Sequence, residues 1–341
     1  MKSVEVNSLL TVNNTNETLL DGLACIKLPL PYSSPAESNV YLLHSRPPVL
    51  IDTGLGVSAS IKMLREALAR EKVRPDEIKH IFLTHAHSDH AGAAAHWARE
   101  YGTTIWANPR EASRLNGSHA EFITHHLTSV FNRLGVDEKT ALKAAQNFNP
   151  QATAYRQQKM DRFEELVDGF QLPVEDYAIT VICTPGHSPG SVSFFENNSN
   201  TLFTGDTLLS ERTPRPTLTT DGPDTLYYNA MIELAQSIDI LGNLPDSVVF
   251  PGHGPPAFLE DLIHLAQESL VRKKNMIHRK ISSETTPFDL IRKRTERTRG
   301  AYLAVDLYQT RAILQALMAN GSIHMEVREE KEYFQRAQVE T

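Results

Sequence analysis

The sequence predicts an α/β protein whose strands end on metal-binding loops, and three features predict it. Short apolar or alternating runs alternate with segments of helical spacing as far as Ala107, which is the rhythm of an α/β fold. The apolar run Ile81-Phe82-Leu83 leads directly into THAHSDHAG, which brings His85, His87, Asp89 and His90 together in one short loop. Three later strand-like runs each end in a small-residue turn carrying one more ligand-type residue: His187, Asp206 and His253.

Residues 1 to about 20 are polar and rich in Asn and Thr, the composition of a frayed end or an edge strand. LACIKLPLP, NVYLLHS and PVLIDTG then read as consecutive strands, the last turning at Asp52-Thr53-Gly54. From Val57 to about Lys72, Ile61, Leu64 and Leu68 recur at helical spacing with Ala67 beside them. A strand over 81–84, a helix from about Ala93 to Tyr101 and a strand over 104–107 continue the alternation. Residues from about 108 to 168 break it. They are helix-compatible without strand-like runs, which predicts a helical insertion over the sheet edge that shapes a pocket or lid. His119, His125 and His126 fall there and read as ordinary helix histidines, since nothing fixes their spacing to the metal loop. Strands resume over 177–184, 191–195 and 201–206. A Pro-rich loop with Arg212 and Arg215 follows, then a helix from about Leu226 to Leu241 and a last strand over 247–250 that ends at PGHGPP.

His85 and His87 are two apart, so an extended segment projects both rings to one side. Asp89 and His90, one turn on, can face a second position a few Å away. Imidazole with carboxylate suits zinc and other first-row divalent ions. An isolated HxH pair is often just a polar loop, but the full H-x-H-x-D-H string behind an apolar strand is far more specific. Gly186, Gly205 and Gly252 beside the later candidates let the backbone turn tightly and a cation sit close. No G-x-S-x-G elbow competes for the role of nucleophile.

Composition narrows the classes further. A chain of 341 residues buries a large core as one big domain or two, and 40% hydrophobic with 22% charged content is that of a soluble globular protein. The net charge of -7 argues against nucleic-acid binding by the molecule as a whole, though not by a local patch. No signal-like segment and no long apolar run is present, so no membrane span is expected. Cys25 and Cys183 alone make no disulfide framework, which fits a reducing cytoplasm; Cys183, in AITVICT, reads as a packed thiol.

Five motifs between about residues 23 and 255, LIDTG, THAHSDHAG, GHSPGS, GDT and PGHG, resemble those of the metallo-β-lactamase fold superfamily, in its glyoxalase II-like hydrolase branch. The resemblance implies a four-layer αβ/βα sandwich with the site at one edge between two sheets. It implies that His85, His87 and His187 hold a first metal, that Asp89, His90 and His253 hold a second, and that Asp206 bridges them. Asp52 would support the histidine loop from behind by hydrogen bonds. Two cations about 3.5–4 Å apart can share a water and bring its pKa from near 16 to about 7, so a metal-bridging hydroxide would attack a carbonyl or phosphoryl centre. Redox di-iron relatives place Glu where this chain has His87, which favours hydrolysis here. Zinc is the first choice of metal, with iron or manganese compatible with the same donors. Protonation of the leaving group falls to Asp89 or to water. Tyr227, Tyr228, Arg212 and Arg215, which lie between Asp206 and His253, are candidate substrate contacts, with helix packing as the alternative for the two tyrosines.

Beyond Pro256 the pattern turns helical and ends in IHMEV, similar to a small winged-helix-like appendage. This divides the chain into a catalytic domain over 21–256 and a C-terminal domain over 257–341. Residues 271–300 hold ten basic against three acidic residues, a surface that could meet RNA phosphates or an anionic substrate, or simply face solvent or a homodimer partner. Three functions compete. The leading one is a hydrolase of a small carbonyl ester, either a thioester or a lactone. The others are a metal-dependent endoribonuclease and a non-enzymatic ligand sensor. A sensor has no need of seven metal-grade positions, and the acidic chain lacks a β-CASP-like insertion for RNA.

Overall fold

In the computed structural model the described residues are 20–31, 34–117, 127–144, 159–160, 162–216, 228–282, 284–297 and 303–337. Two sheets organise them. The first runs β1 (Leu23–Pro29), β2 (Glu37–Leu43), β3 (Val49–Ile51), β4 (His80–Phe82), β5 (Thr104–Ala107) and β6 (Glu164–Glu165), in that spatial order. The second has the order β11 (Ala257–Phe258), β10 (Val248–Pro251), β9 (Thr201–Gly205), β8 (Val192–Glu196), β7 (Ile179–Cys183). Strand alternation produces the layers. Tyr41, Leu43, Val49, Ile51 and Phe82 point inward and meet Val181, Val192, Phe194, Phe203 and Phe250 of the other sheet. Leu42, Leu50 and Ile81 point outward onto Leu64 and Leu68 of α1 (Ser58–Arg70) and Trp97 of α3 (Ala94–Tyr101). Helix, sheet, sheet and helix stack as an αβ/βα sandwich.

The outer face of the second sheet carries the largest core. Phe195, Leu202 and Val249 pack there with Leu234 and Ile238 of α5 (Ala230–Leu241) and with the C-terminal helices α6 (Leu259–Lys280), α7 (Pro287–Arg297) and α8 (Leu303–Ala319). The 108–168 segment joins this core: it is helical over Ala112–Leu115 (α4) and again over 127–133 and 138–144, and Leu127, Phe131 and Leu134 share the cluster with Leu307 and Ile313. It ends, contrary to expectation, in strand β6, which pairs Trp106 with Glu164 and Ala107 with Glu165. Two exposed glutamates carry no hydrophobic signal, so backbone pairing alone defines that strand. His119, His125, His126 and Tyr227 lie outside the described residues, as do residues 1–19. The helix expected from Leu226 is described from Ala230.

The chain closes with a hairpin, β12 (Ile323–Arg328) and β13 (Lys331–Arg336), turning through Glu329 and Glu330 at φ 47° and 62°. Its fully buried Glu332 accepts from Arg311 Nε at 2.6 Å and Arg133 Nε at 3.1 Å, tying hairpin, α8 and insertion together. No helix among the described residues is long and apolar enough to cross a membrane.

Candidate metal centre

The ends of β4, β7, β9 and β10 converge on one edge of the sandwich. Behind β4, the chain delivers His85 and then His87, the latter in extended backbone, and turns into the short helix α2 (Ser88–Ala91), which carries Asp89 and His90. Asp52 stands at the end of β3 with φ 62°, a left-handed conformation that Asp tolerates better than most side chains. From there it accepts Thr84 N–H on Oδ1, and Thr84 Oγ1–H and His90 Nδ1–H on Oδ2, each at 2.8 Å. Thr53 holds the other end of the loop, since its N–H and Oγ1 both donate to the His90 carbonyl. On the opposite sheet, β10 shifts register between Phe250 and Pro251 and so aims His253 at the same point. Gly252 is required for that approach: a Cβ there would come within 2.7 Å of Asp206 Oδ1 and of His90 Cε1.

Four histidines have their tautomer fixed from outside. His187 Nδ1 donates to the Arg215 carbonyl at 3.0 Å and His253 Nδ1 to the Glu37 carbonyl at 2.6 Å. His90 Nδ1 donates to Asp52. Thr84 Oγ1 gives its proton to Asp52, so it receives the Nδ1–H of His85 at 3.1 Å. In its neutral form each of the four therefore turns an unprotonated Nε2 inward, and His87 adds its Nδ1. These nitrogens crowd: His87 Nδ1 lies 3.0 Å from His85 Nε2 and 2.9 Å from His187 Nε2, and His90 Nε2 lies 3.3 Å from His253 Nε2. Lone pairs facing one another at such distances repel unless positive charge lies between them.

The carboxylates complete the donor set. Asp206 places Oδ2 3.5 Å from His187 Nε2, and Oδ1 3.4 Å from His90 Nε2 and 3.5 Å from His253 Nε2. Asp89 Oδ2 lies 3.5 Å from His253 Nε2. Asp206 Oδ1 is buried with no hydrogen-bond partner among the described residues, a state that a cation would relieve. Among the described residues, three groups could hold a metal ion: His85, His87 and His187; His85, His90 and Asp206; Asp89, His90 and His253. The donors fit first-row divalent ions.

Protonation favours the same use. Burial, helped by neighbouring imidazoles, holds His85 and His187 neutral, and it does the same for His87. Burial also opposes charge on His90, but Asp206, Asp89 and Asp52 outweigh it and push that ring up to about 10. His253 rises for the same reason, through Asp206 and Asp89. Burial acts against ionising Asp89 and Asp206 as well, yet the facing imidazoles keep both below the usual carboxylate range. Positive charge is favoured at this point, and either a proton or a metal cation can supply it.

The model of the metallo-beta-lactamase superfamily matches residues 34–253, well over half of the chain. The chain belongs to the metallo-β-lactamase superfamily. Among its relatives is the hydroxyacylglutathione hydrolase GloC of Haemophilus influenzae, 25% identical over 177 residues that cover 52% of this chain and 69% of that one. Another is the acyl-coenzyme A thioesterase MBLAC2 of Bos taurus, 27% identical over 262 residues, 73% of this chain and 84% of that one. The crystal structure of the metallo-β-lactamase family protein TTHA1429 of Thermus thermophilus shares the fold with a TM-score of 0.77 at 23% identity, covering 94% of this chain and 100% of that one.

This superfamily member also carries site residues that sequence reasoning missed. Glu111, 1% exposed at the start of the insertion, accepts Ala86 N–H on Oε2 at 3.2 Å. Its Oε1 accepts Ser188 Oγ–H at 2.6 Å and Gly190 N–H at 2.7 Å. It thus clamps the backbone between His85 and His87 to the GHSPG loop that carries His187. Asn39 similarly donates to the Pro251 and Gly254 carbonyls on either side of His253. Of the proposed substrate contacts, Tyr228 donates its hydroxyl to the Ser188 carbonyl at 3.3 Å under the Arg110 guanidinium, which makes it part of the loop support. Arg212 reaches Ser34 Oγ at 3.2 Å, and Arg215 offers His187 its carbonyl.

Proposed function

We propose that the chain hydrolyses small acyl thioesters, with lactones as the chemically nearest alternative, using two divalent cations. Zinc is the first choice and iron or manganese the others. His85, His87 and His187 would hold one cation and Asp89, His90 and His253 the other, with Asp206 shared and Asp52 setting the His90 and His85 rings from behind. The observation that carries this reading is the inward convergence of five ring nitrogens and two carboxylates, four of the rings being locked from outside. When bound, such cations supply an acidified water and a Lewis acid for the carbonyl oxygen.

The chain's own groups set the rest. In this reading the Asp89 carboxylate, 3.5 Å from His253 Nε2, would take a proton from the attacking water. It can return that proton to the departing thiolate as the acyl C–S bond breaks. A thiolate is a good leaving group, so one carboxylate suffices for it. Residues 21–256 carry the chemistry in this reading. Residues 257–341 would form a second, winged-helix-like domain beside them. The hydroxyacylglutathione hydrolase GloC and the acyl-coenzyme A thioesterase MBLAC2 support the substrate class at low identity.

The test sets an acyl thioester, a homoserine lactone and single-stranded RNA side by side, with and without chelator, alongside elemental analysis of the protein. Chelator-sensitive hydrolysis of the thioester is expected. Full activity in protein shown to contain no metal would overturn the reading.

A further inference from the structure

The turn that carries His253 is tied to the first sheet through β2. Bonds from Glu37, Asn39 and Tyr41, alternate residues of that strand, all end on the four residues from Pro251 to Gly254. The Glu37 carbonyl accepts His253 Nδ1–H at 2.6 Å, and Asn39 N–H donates to the Gly252 carbonyl at 2.8 Å. Asn39 Nδ2 donates to the Pro251 carbonyl at 2.8 Å and to the Gly254 carbonyl at 2.9 Å. It also lies 3.2 Å from the Tyr41 hydroxyl, but the two shorter bonds take both of its hydrogens. Tyr41 Oη–H donates to the same Pro251 carbonyl at 2.6 Å. Asn39 and Tyr41 are each 2% exposed, and packing alone asks for neither polar group. The Tyr41 ring lies 5.1 Å from that of Phe203 and 5.8 Å from that of Phe250, contacts that a Phe would make as well. An amide and a hydroxyl buried between sheets cost free energy unless they are bonded, and what they bond is this turn.

The turn matters because one candidate cation position draws its donors from both sheets. Asp89 and His90 follow β4 of the first sheet, and His253 follows β10 of the second. His253 Nε2 lies 3.3 Å from His90 Nε2 and 3.5 Å from Asp89 Oδ2. Whatever ties the two sheets together at His253 sets the span of that position. We propose that Tyr41 and Asn39 are positioning residues for the cation of Asp89, His90 and His253: by holding the Pro251 and Gly254 carbonyls they fix the distance of His253 from its two partners. The proposal rests on the two-cation reading of the centre and assigns these residues to one side of it. The other side has its own tie in Glu111, whose carboxylate bonds lie on the His85 and His187 loops. Because the two ties are separate, loosening one should be felt at one cation position only.

The experiment titrates zinc into the full-length protein against a chromophoric chelator, which resolves the two binding steps; the step that Asp89→Asn weakens marks the His253 position. Tyr41→Phe keeps the ring contacts and removes one of two donors to the Pro251 carbonyl, so it should weaken that step by about 5-fold, the worth of one hydrogen bond. Asn39→Ala takes a donor from the carbonyls on both sides of His253 and should weaken the same step by about 10–100-fold. The other step should stay where it is in both variants. Phe203→Leu disturbs the ring cluster without touching a bond to the turn, and serves as the control for lost stability, followed by thermal unfolding. Weakening of both steps together in Tyr41→Phe, or the same selective loss in Phe203→Leu, would make Tyr41 a packing residue and overturn the proposal. Zinc affinities indifferent to Tyr41→Phe and Asn39→Ala, in a protein that hydrolyses the thioester, would overturn it and leave the hydrolase standing. Selective loss of the His253 step in a protein that binds two zinc ions but hydrolyses no thioester would support the positioning role and remove the thioesterase reading.

Discussion

The two sides of the centre use the same residue types but differ in charge. His85 and His187 rest on neutral oxygens, the Thr84 hydroxyl and the Arg215 carbonyl, and burial keeps them and His87 uncharged. His90 rests on the Asp52 carboxylate and, with His253, faces Asp89 and Asp206, which raise both rings. One side is a set of neutral nitrogens fixed by geometry, and the other is a carboxylate-rich pocket that attracts positive charge. Coulomb attraction should therefore make the His90 side the tighter cation position, while the His85 side depends on how accurately its loops are held.

Asp206 belongs to both sides, Oδ2 toward His187 and Oδ1 toward His90 and His253, so its loss should be the most damaging change. Asp206→Ala is expected to lower kcat/KM by more than about 100-fold, since residues that only support ligands are worth about 10–100-fold. Metal content by elemental analysis should fall with it. A variant that keeps its full metal complement would show that Asp206 is not shared.

The asymmetry itself can be sharpened with two supporting carboxylates. Asp52→Asn leaves the His90 Nδ1–H or a Thr84 donor without its acceptor, and should weaken the tighter of two metal-binding steps by about 10–100-fold. Glu111→Gln retains one carbonyl oxygen for three donors on two loops, and should weaken the looser step, that of His85, His87 and His187, by about 10-fold. Chelator-competition titrations resolve the two steps. Equal shifts of both steps in both variants would erase the distinction between the two sides.

What the sequence disclosed follows the same division between local and distant information. THAHSDHAG could be read because strand, ligands and helix start are contiguous, so period and residue type coincide within one loop. The strands ending at His187, Asp206 and His253 were legible for the same reason. Glu111 was not, because its partners Ser188 and Gly190 lie 77 and 79 residues away and a single Glu in a helical stretch has no pattern. The carbonyls of Glu37 and Arg215 that fix two imidazoles were invisible too, since a backbone oxygen leaves no mark on residue identity. The common core of insertion, α5 and C-terminal helices was hidden by α8, which buries Asp306, Arg311 and Gln315 among its apolar residues and so shows little amphipathic rhythm.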